Sequence, residues 1–268
     1  MPIWQQFLDT AVEAALIAGT FQQFRFASVL NVTLKGDKNL VTEVDQESER
    51  LIVGRLLSAF PDHSIIAEEG EYPQGNGPFR WIIDPLDGTT NYAHGFPWFC
   101  VSIGLESAGE LVAGVIYNPL HDELFTATKG GGAFLNGRRL RVSTRAPLQD
   151  TLLGTGFPYD CASDPANNFD NFIAFQKAAR GIRRAGAAAL DLAYVAAGKL
   201  DGFWELKLKP WDVAAGVLLV REAGGTVTSF DGTEYDCCNH RIVASNGLIH
   251  EEMIAMLAQS DLRGPHEP

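Results

Sequence analysis

Cysteine is scarce in this sequence: Cys100, Cys161, Cys237 and Cys238 are all it has, and their spacing fits no paired zinc motif. A vicinal pair is a poor structural disulfide, so the expectation is reduced, structural thiols. Basic residues are also in short supply, with 21 Lys and Arg against 33 Asp and Glu, a formal net charge of −12. A phosphate backbone needs clustered Lys and Arg, so this balance argues against a nucleic-acid-binding surface. A small anionic substrate stays open, provided metal ions reverse the sign of the local field. No apolar run is long enough to span a bilayer, and the N-terminal stretch is amphipathic, without a basic region and cleavage site. The expected setting is therefore the cytoplasm, away from membranes. Internal repeats and low-complexity linkers are missing too. What is present, 268 residues of which 46% are hydrophobic and 20% charged, suffices for a sizeable core in one large domain or two fused lobes.

Apolar residues at helical spacing (Trp4, Phe7, Leu8, Ala11, Val12, Ala15, Leu16) predict a first amphipathic helix running to about Gly19. A second helical pattern carries Leu51, Ile52, Leu56 and Leu57. Ser64 to Ala67 reads as a short buried strand ending at Glu68-Glu69-Gly70, and the stretch from Tyr72 to Phe79, with two prolines and two glycines, as an exposed loop. Phe99 to Glu106, Leu111 to Asn118 and Leu124 to Thr128 are β-rich runs. Asn136-Gly137, between Phe134-Leu135 and Leu140 to Val142, is a hairpin signal. These meandering strands predict a first α+β lobe over about 1–145. A second lobe, 146–268, follows with a strand at Leu152 to Gly156, a helix at Phe169 to Ala179 and a strand over Leu200 to Glu205. It continues with a helix from Pro210 to Gly224-Gly225, strands at Thr226 to Phe230 and Arg241 to Ser245, and a last helix over Ile249 to Leu257. Mixed strands and helices in both halves predict an α/β (α+β) fold, a layered αβαβα sandwich with acids gathered at strand ends.

The chemistry concentrates in Trp81 to Pro97, WIIDPLDGTTNYAHGFP. Trp81, Ile82 and Ile83 run straight into Asp84, and after one proline and one leucine Asp87 meets Gly88-Thr89-Thr90. Pro85 cannot continue a ladder hydrogen bond and Gly88 lets the backbone approach a ligand, so the strand should turn before a helix or turn near Thr89. Two carboxylates this close repel unless a cation or proton lies between them, whereas free N–H groups at a helix start attract an anion such as phosphate. Alone, D-x-x-D is equally an Asp-rich turn. Alone, Asp45 and Asp212 each read as helix N-caps. The small residues Ala189, Ala193 and Ala197 read as close helix packing.

The full string D-P-L-D-G-T-T resembles the metal-binding signature of the inositol monophosphatase family of Mg-dependent phosphatases. Further strings resemble the same family in matching order: Glu68-Glu69, the K…V-T-x-x-D run from Lys35 to Asp45, R-x-x-G-x-A-A from Arg183, and W-D-x-A-A-G from Trp211. The resemblance covers nearly the whole chain and implies a sandwich of the sugar-phosphatase type. It implies that Glu68, Asp84, Asp87, Asp212 and the Leu86 carbonyl hold two or three Mg²⁺ ions, an all-oxygen set suited to a hard cation. Thr89, with Asp45 and Glu68, is implied to orient an attacking water and take its proton, with Lys35 on a nearby loop. The substrate is implied to be held by Asp87, Asp212 and the N–H groups of Gly88 and Thr89 at its phosphate, and by Gly186, Ala187, Ala188 and Glu205 at its ring. Many relatives carry a hydroxyl residue at the position of Ala187, so only its backbone is expected to serve. The implied reaction is hydrolysis of an inositol monophosphate, with sensitivity to Li⁺ and a homodimeric assembly. Relatives on the same scaffold hydrolyse fructose 1,6-bisphosphate, histidinol phosphate or nucleotide phosphates such as NADP. A protein that chiefly binds another macromolecule and keeps a residual phosphatase site is the alternative from a different class.

Overall fold

The computed structural model describes residues 4–26, 32–34, 40–72 and 74–261. Its backbone forms helices α1 (Gln5–Arg25) and α2 (Glu43–Ala59), strands β1 (Val32–Leu34), β2 (Leu40–Thr42), β3 (Ser64–Ala67) and β4 (Phe79–Asp87), and the short helix α3 (Thr89–Ala93). Strands β5 (Cys100–Ser107), β6 (Glu110–Asn118), β7 (Glu123–Thr128), β8 (Gly132–Leu135) and β9 (Arg138–Arg139) follow. The remainder comprises β10 (Leu152–Thr155), α4 (Phe169–Ala178), β11 (Gly181–Arg183), α5 (Ala188–Ala196), β12 (Gly202–Leu206), α6 (Pro210–Glu222), β13 (Thr226–Thr228), β14 (Arg241–Ser245) and α7 (His250–Asp261).

Two mixed sheets organise these elements. The first runs β3-β4-β5-β6-β7-β8-β9, with β3 and β4 parallel and every later pair antiparallel. The second runs β11-β10-β12-β14-β13, parallel on the β11 side and antiparallel on the β13 side. Helices α1 and α2 cover the outer face of the first sheet through Phe7, Ala11, Ala15, Ile52 and Leu56, which pack on Trp81, Ile83, Val101 and Val115. Helices α5 and α6 fill the space between the sheets with alanine, valine and leucine, and Phe203 of β12 joins that core. On the far side Phe175, Trp204, Met253 and Leu257 seal α4 and α7 onto the second sheet. Five layers result, αβαβα, because each sheet has apolar side chains on both faces and must be covered twice.

The centre of the first sheet delivers the acids. Trp81, Ile82 and Ile83 are buried in β4, paired with Leu105, Gly104 and Ile103 of β5. Register with β5 shifts between Asp84 and Asp87, where Pro85 has no N–H to offer the ladder. Gly88 then takes a left-handed backbone (φ 95°) and α3 begins at Thr89.

Four local expectations are corrected. Helix α1 continues past Gly19 to Arg25. Gly19 is a close-packing position, where a Cβ would collide with the Tyr117 ring, and Gln22 beyond it is buried. The hairpin at Asn136-Gly137 has Arg138–Arg139 as its second strand rather than residues 140–142; the Leu140 N–H still bonds Ala133 O at 2.8 Å, but Val142 turns to another partner, Ala223 O at 3.2 Å. The last helix ends at Asp261 rather than Leu257. Tyr72 is half-buried and bonded to α2 rather than part of an exposed loop.

Candidate active site

Helix α2 opens with a capping box. Thr42 is the N-cap and Asp45, at the third helical position, accepts the Thr42 backbone N–H at 2.7 Å through Oδ2. That leaves Asp45 Oδ1 pointing away from its own helix, where the Thr89 hydroxyl donates to it at 2.8 Å. The same hydroxyl lies 3.1 Å from the Leu86 carbonyl, and with a single proton it serves one acceptor at a time. Asp45 is thus a cap and a partner of the β4–α3 turn at once.

Asp84 is buried at the end of the apolar run, and its Oδ1 accepts the Leu86 N–H at 3.0 Å. Asp87 Oδ2 accepts the Ala189 N–H at 2.7 Å, so the first turn of α5 grips this acid from the other sheet's side of the molecule. Asp212, in the first turn of α6, accepts the Lys209 N–H at 2.7 Å and lies within hydrogen-bonding reach of Asp84. Glu68 follows β3, the strand parallel to β4, close enough for its charge to act on Asp84 and Asp87. Elements from three layers therefore bring these acids to one place.

The electrostatics follow from that crowding. Burial is the main force lifting Asp84 well above the usual carboxylate range, with the charges of Glu68, Asp87 and Asp212 adding to it. Asp87 is lifted by burial and then by Asp212, against the opposing N–H bonds from Ala189 and Ala188. Asp212 is pushed up to about 6, again by burial first, while the Lys209 N–H pulls it down. Asp45 is raised by burial against its threonine bonds. Such a group of acids asks for a cation or protons.

Among the described residues, no three acidic, histidine or cysteine side chains close around a single point as a preformed cage. The donors present are nonetheless all oxygen and mutually repelling, which fits a hard divalent ion rather than a thiophilic one.

Residues 3–262 match the inositol monophosphatase family. The chain belongs to that family. It is 46% identical to an inositol-1-monophosphatase of Synechocystis over 256 residues, 95% of this chain and 89% of that protein. It is 48% identical to the Nus factor SuhB of Pseudomonas aeruginosa over 251 residues, 90% of this chain and 92% of that protein. Among solved structures, an inositol monophosphatase from Anabaena superposes with a TM-score of 0.87 at 46% identity, covering 95% of this chain and 96% of that one. The extragenic suppressor protein suhB from Bartonella henselae gives 0.90 at 45% identity, covering 94% and 98%. The family is one of phosphoric monoester hydrolases.

Around the acid group the family scaffold supplies a second wall. Gly186 (φ 89°) precedes α5, with Ala187 as its N-cap and Ala188 as its first residue. The Asn91 side-chain amide ties this loop to α3 by donating to Ala185 O at 2.9 Å and Trp98 O at 2.8 Å. Glu205 is buried on β12 beside Gly156, where any Cβ would collide with its carboxylate. Burial raises Glu205 well above its ordinary value, and Asp191, Asp212 and Asp87 add to the rise. Lys35 lies outside the described residues.

Several supporting residues escaped the sequence reading. Glu49, buried on α2, accepts the Glu69 N–H and the Tyr72 hydroxyl, each at 2.8 Å, and so fixes the turn that carries Glu68. Its signal was its place on the buried stripe Asp45, Ser48, Glu49, Ile52, where a solvent-facing acid has no business. Asn91 had no such signal, since the acceptor that ties it to α5's loop, Ala185 O, lies 94 residues along the chain.

Proposed function

We propose that this protein hydrolyses inositol monophosphate to inositol and phosphate, with two or three Mg²⁺ ions held by Glu68, Asp84, Asp87, Asp212 and the Leu86 carbonyl. The single observation that carries the reading is the meeting of these four acids with the Asp45–Thr89 hydrogen bond, in a chain of this family. When bound, Mg²⁺ would neutralise phosphate charge and lower the pKa of a nearby water.

The chain's own residues account for the rest. Thr89 Oγ1 donates its proton to Asp45 Oδ1, which leaves lone pairs free to accept a hydrogen bond from water. That water attacks phosphorus in line with the ester oxygen, and its proton passes through Thr89 Oγ1 to Asp45, with Glu68 as a second acceptor. The P–O ester bond breaks, and the alcohol oxygen leaves with a proton from solvent. Asp45 suits the task because burial raises its affinity for a proton. The Gly88 and Thr89 N–H groups would hold the phosphate, and Gly186, Ala187, Ala188 and Glu205 would face the ring hydroxyls. No residue of the main signature is missing, which supports an active enzyme.

A homodimer and inhibition by Li⁺ belong to the same proposal. So does the division at about residue 145 into a metal-site lobe and a substrate-side lobe. A second reading, a protein whose main task is to bind another macromolecule, has support in relatives named Nus factor SuhB. The net charge of −12 makes a protein the fitting partner there. Steady-state assays on a panel of phosphomonoesters, with and without Mg²⁺, decide between the two. Turnover of inositol 1-phosphate that depends on Mg²⁺ supports the first, and no turnover of any ester overturns it.

A further inference from the structure

The ladder between β10 and β12 stops one residue short of Glu205. Its last pair is Thr155 with Trp204, so Gly156 and Glu205 lie just beyond its end. They are nevertheless in close contact, since a Cβ on Gly156 would fall 2.2 to 2.4 Å from the Glu205 carboxylate. Side-chain hydrogen bonds take over where the ladder ends. Thr155 Oγ1 donates to Trp204 O at 2.7 Å. The Asn168 amide donates to Thr155 Oγ1 at 3.0 Å and to Gly156 O at 2.6 Å. Asn168 Oδ1 in turn accepts the Trp204 indole N–H at 2.9 Å and the Asn171 amide at 3.1 Å. Both amide hydrogens and both oxygen lone pairs of Asn168 are thus in use.

This network acts from the far side of the sheet. Successive residues of a strand point to opposite faces. Phe203 joins the core between the sheets, so Glu205 shares that side, while Trp204 faces α4 and stacks on Phe175 with ring centroids 4.1 Å apart. Asn168, Thr155 and Trp204 are all buried. Asn168 is also the N-cap of α4, with a left-handed backbone (φ 75°) that asparagine adopts more readily than most residues. A buried polar network gains little net stability over apolar side chains of the same shape, but it fixes positions. What this one fixes is the carbonyl of Gly156, and with it the wall against which the Glu205 carboxylate rests.

We propose that Asn168 is a positioning residue that, through Gly156 and Trp204, sets the Glu205 carboxylate for contact with the substrate's ring. Thr155 is the second member of the device. The proposal rests on the reading of Glu205 given above.

The test uses the full-length protein with Mg²⁺ and three variants. Asn168→Gly keeps the left-handed backbone and removes the amide. Thr155→Val removes the hydroxyl at nearly constant shape, and Thr155→Ser restores it. In Asn168→Gly and Thr155→Val, kcat/KM for inositol 1-phosphate should fall about tenfold, and no further than in Glu205→Gln, with a simple ester lacking ring hydroxyls much less affected. Thr155→Ser should keep the wild-type ranking.

A second readout is independent of turnover. In protein labelled with ¹³C at the glutamate side-chain carboxyl carbon, the Glu205 signal is assigned by its loss in Glu205→Gln. It should titrate above the ordinary glutamate range because of burial and the charges of Asp191, Asp212 and Asp87, against a smaller downward pull from Arg184. None of these charges is altered by the variants. A loosened wall admits water, so the midpoint should move down in Asn168→Gly and Thr155→Val and stay in place in Thr155→Ser. An unmoved midpoint in both Asn168→Gly and Thr155→Val overturns the proposal, and so does an equal slowing of the two esters, the mark of a general loss of structure. If wild-type protein turns over no ester, or Glu205→Gln leaves the ranking unchanged, the reading of Glu205 falls instead, and the titration alone decides whether Asn168 sets the carboxylate.

Discussion

The hydroxyl of Thr89 lies 2.8 Å from Asp45 Oδ1, joining a residue just past the end of a central strand to one in the first turn of a helix 44 positions earlier. The same carboxylate caps that helix through Oδ2. Asp45→Asn keeps the size and the cap acceptor but removes the proton-accepting charge. It should lower kcat by roughly 10²-fold or more while moving KM little. Thr42→Ala supplies the contrast: losing the cap should cost about 1 kcal/mol of stability with kcat nearly intact. Steady-state kinetics and denaturant midpoints on the two variants check both halves, and a KM effect alone in Asp45→Asn would contradict the proton-accepting role.

Relief of repulsion gives a stability prediction of the opposite sign. Asp87 lies among acids that each disfavour its charge, and the Ala189 N–H that it accepts can be accepted equally by an amide oxygen. Asp87→Asn should therefore raise the melting temperature of chelator-treated protein, by about 2–4 °C for each kcal/mol of repulsion removed. It should also shrink the further rise on adding Mg²⁺, and lower turnover on every substrate alike. A variant that melts lower without metal, and gains as much from Mg²⁺ as wild type, would show that Asp87 holds structure rather than charge.

The parts of the site that could be read from sequence are those whose geometry is local. Asp84 and Asp87 end one apolar strand, Asp212 stands in the first turn of one helix, and Glu68 follows one short strand, so a string of a few residues carries each. Residues that act over long sequence distances left little trace. Asn91 binds a carbonyl 94 residues ahead, brought to α3 only by the packing of α5 against the first sheet. The fold shows the same division. Strand order within the first sheet follows from its antiparallel meander, whereas Gly19 misled as a helix stop because the Tyr117 ring that fills its missing side chain comes from β6.

Acid sensitivity of the fold should come in part from His250. Its ring is buried between the Thr228 hydroxyl at Nε2 and the Ser245 hydroxyl at Nδ1, each 2.9 Å away. Burial holds it below its ordinary 6.5, against a smaller upward pull from Glu251. Above about pH 6.5 the ring is neutral in folded and unfolded chains and costs nothing. As pH falls below that, the unfolded chain binds the proton first, so stability is lost down to the folded value, by at most about 1.4 kcal/mol per pH unit. The acids of the site shift stability the other way, since they bind protons more readily when folded. His250→Gln isolates the histidine. Between pH 7.5 and 5.5 its guanidinium midpoint should fall less than that of wild type, and parallel slopes would remove His250 from the account.

Chemistry and substrate choice should separate at Glu205. This acid is buried on β12, makes none of the contacts that join Asp84, Asp87 and Asp212 to their strands and helices, and is placed by the proposal at the ring hydroxyls. Glu205→Gln should then lower kcat/KM for inositol 1-phosphate by roughly tenfold to a hundredfold, the equivalent of about 1.5–3 kcal/mol for a lost charged hydrogen bond. A simple ester without ring hydroxyls should be spared, and the Mg²⁺ dependence kept. Gly156 offers an independent route to the same outcome, because a methyl group there must push the Glu205 carboxylate aside while leaving its charge in place. Gly156→Ala should therefore reproduce the substrate ranking of Glu205→Gln without altering the charge of the site. If both variants slow the two esters equally, Glu205 does not select the substrate, and the inositol phosphate assignment loses its local support. If only Glu205→Gln changes the ranking, the carboxylate can shift without penalty, and its charge rather than its position does the selecting.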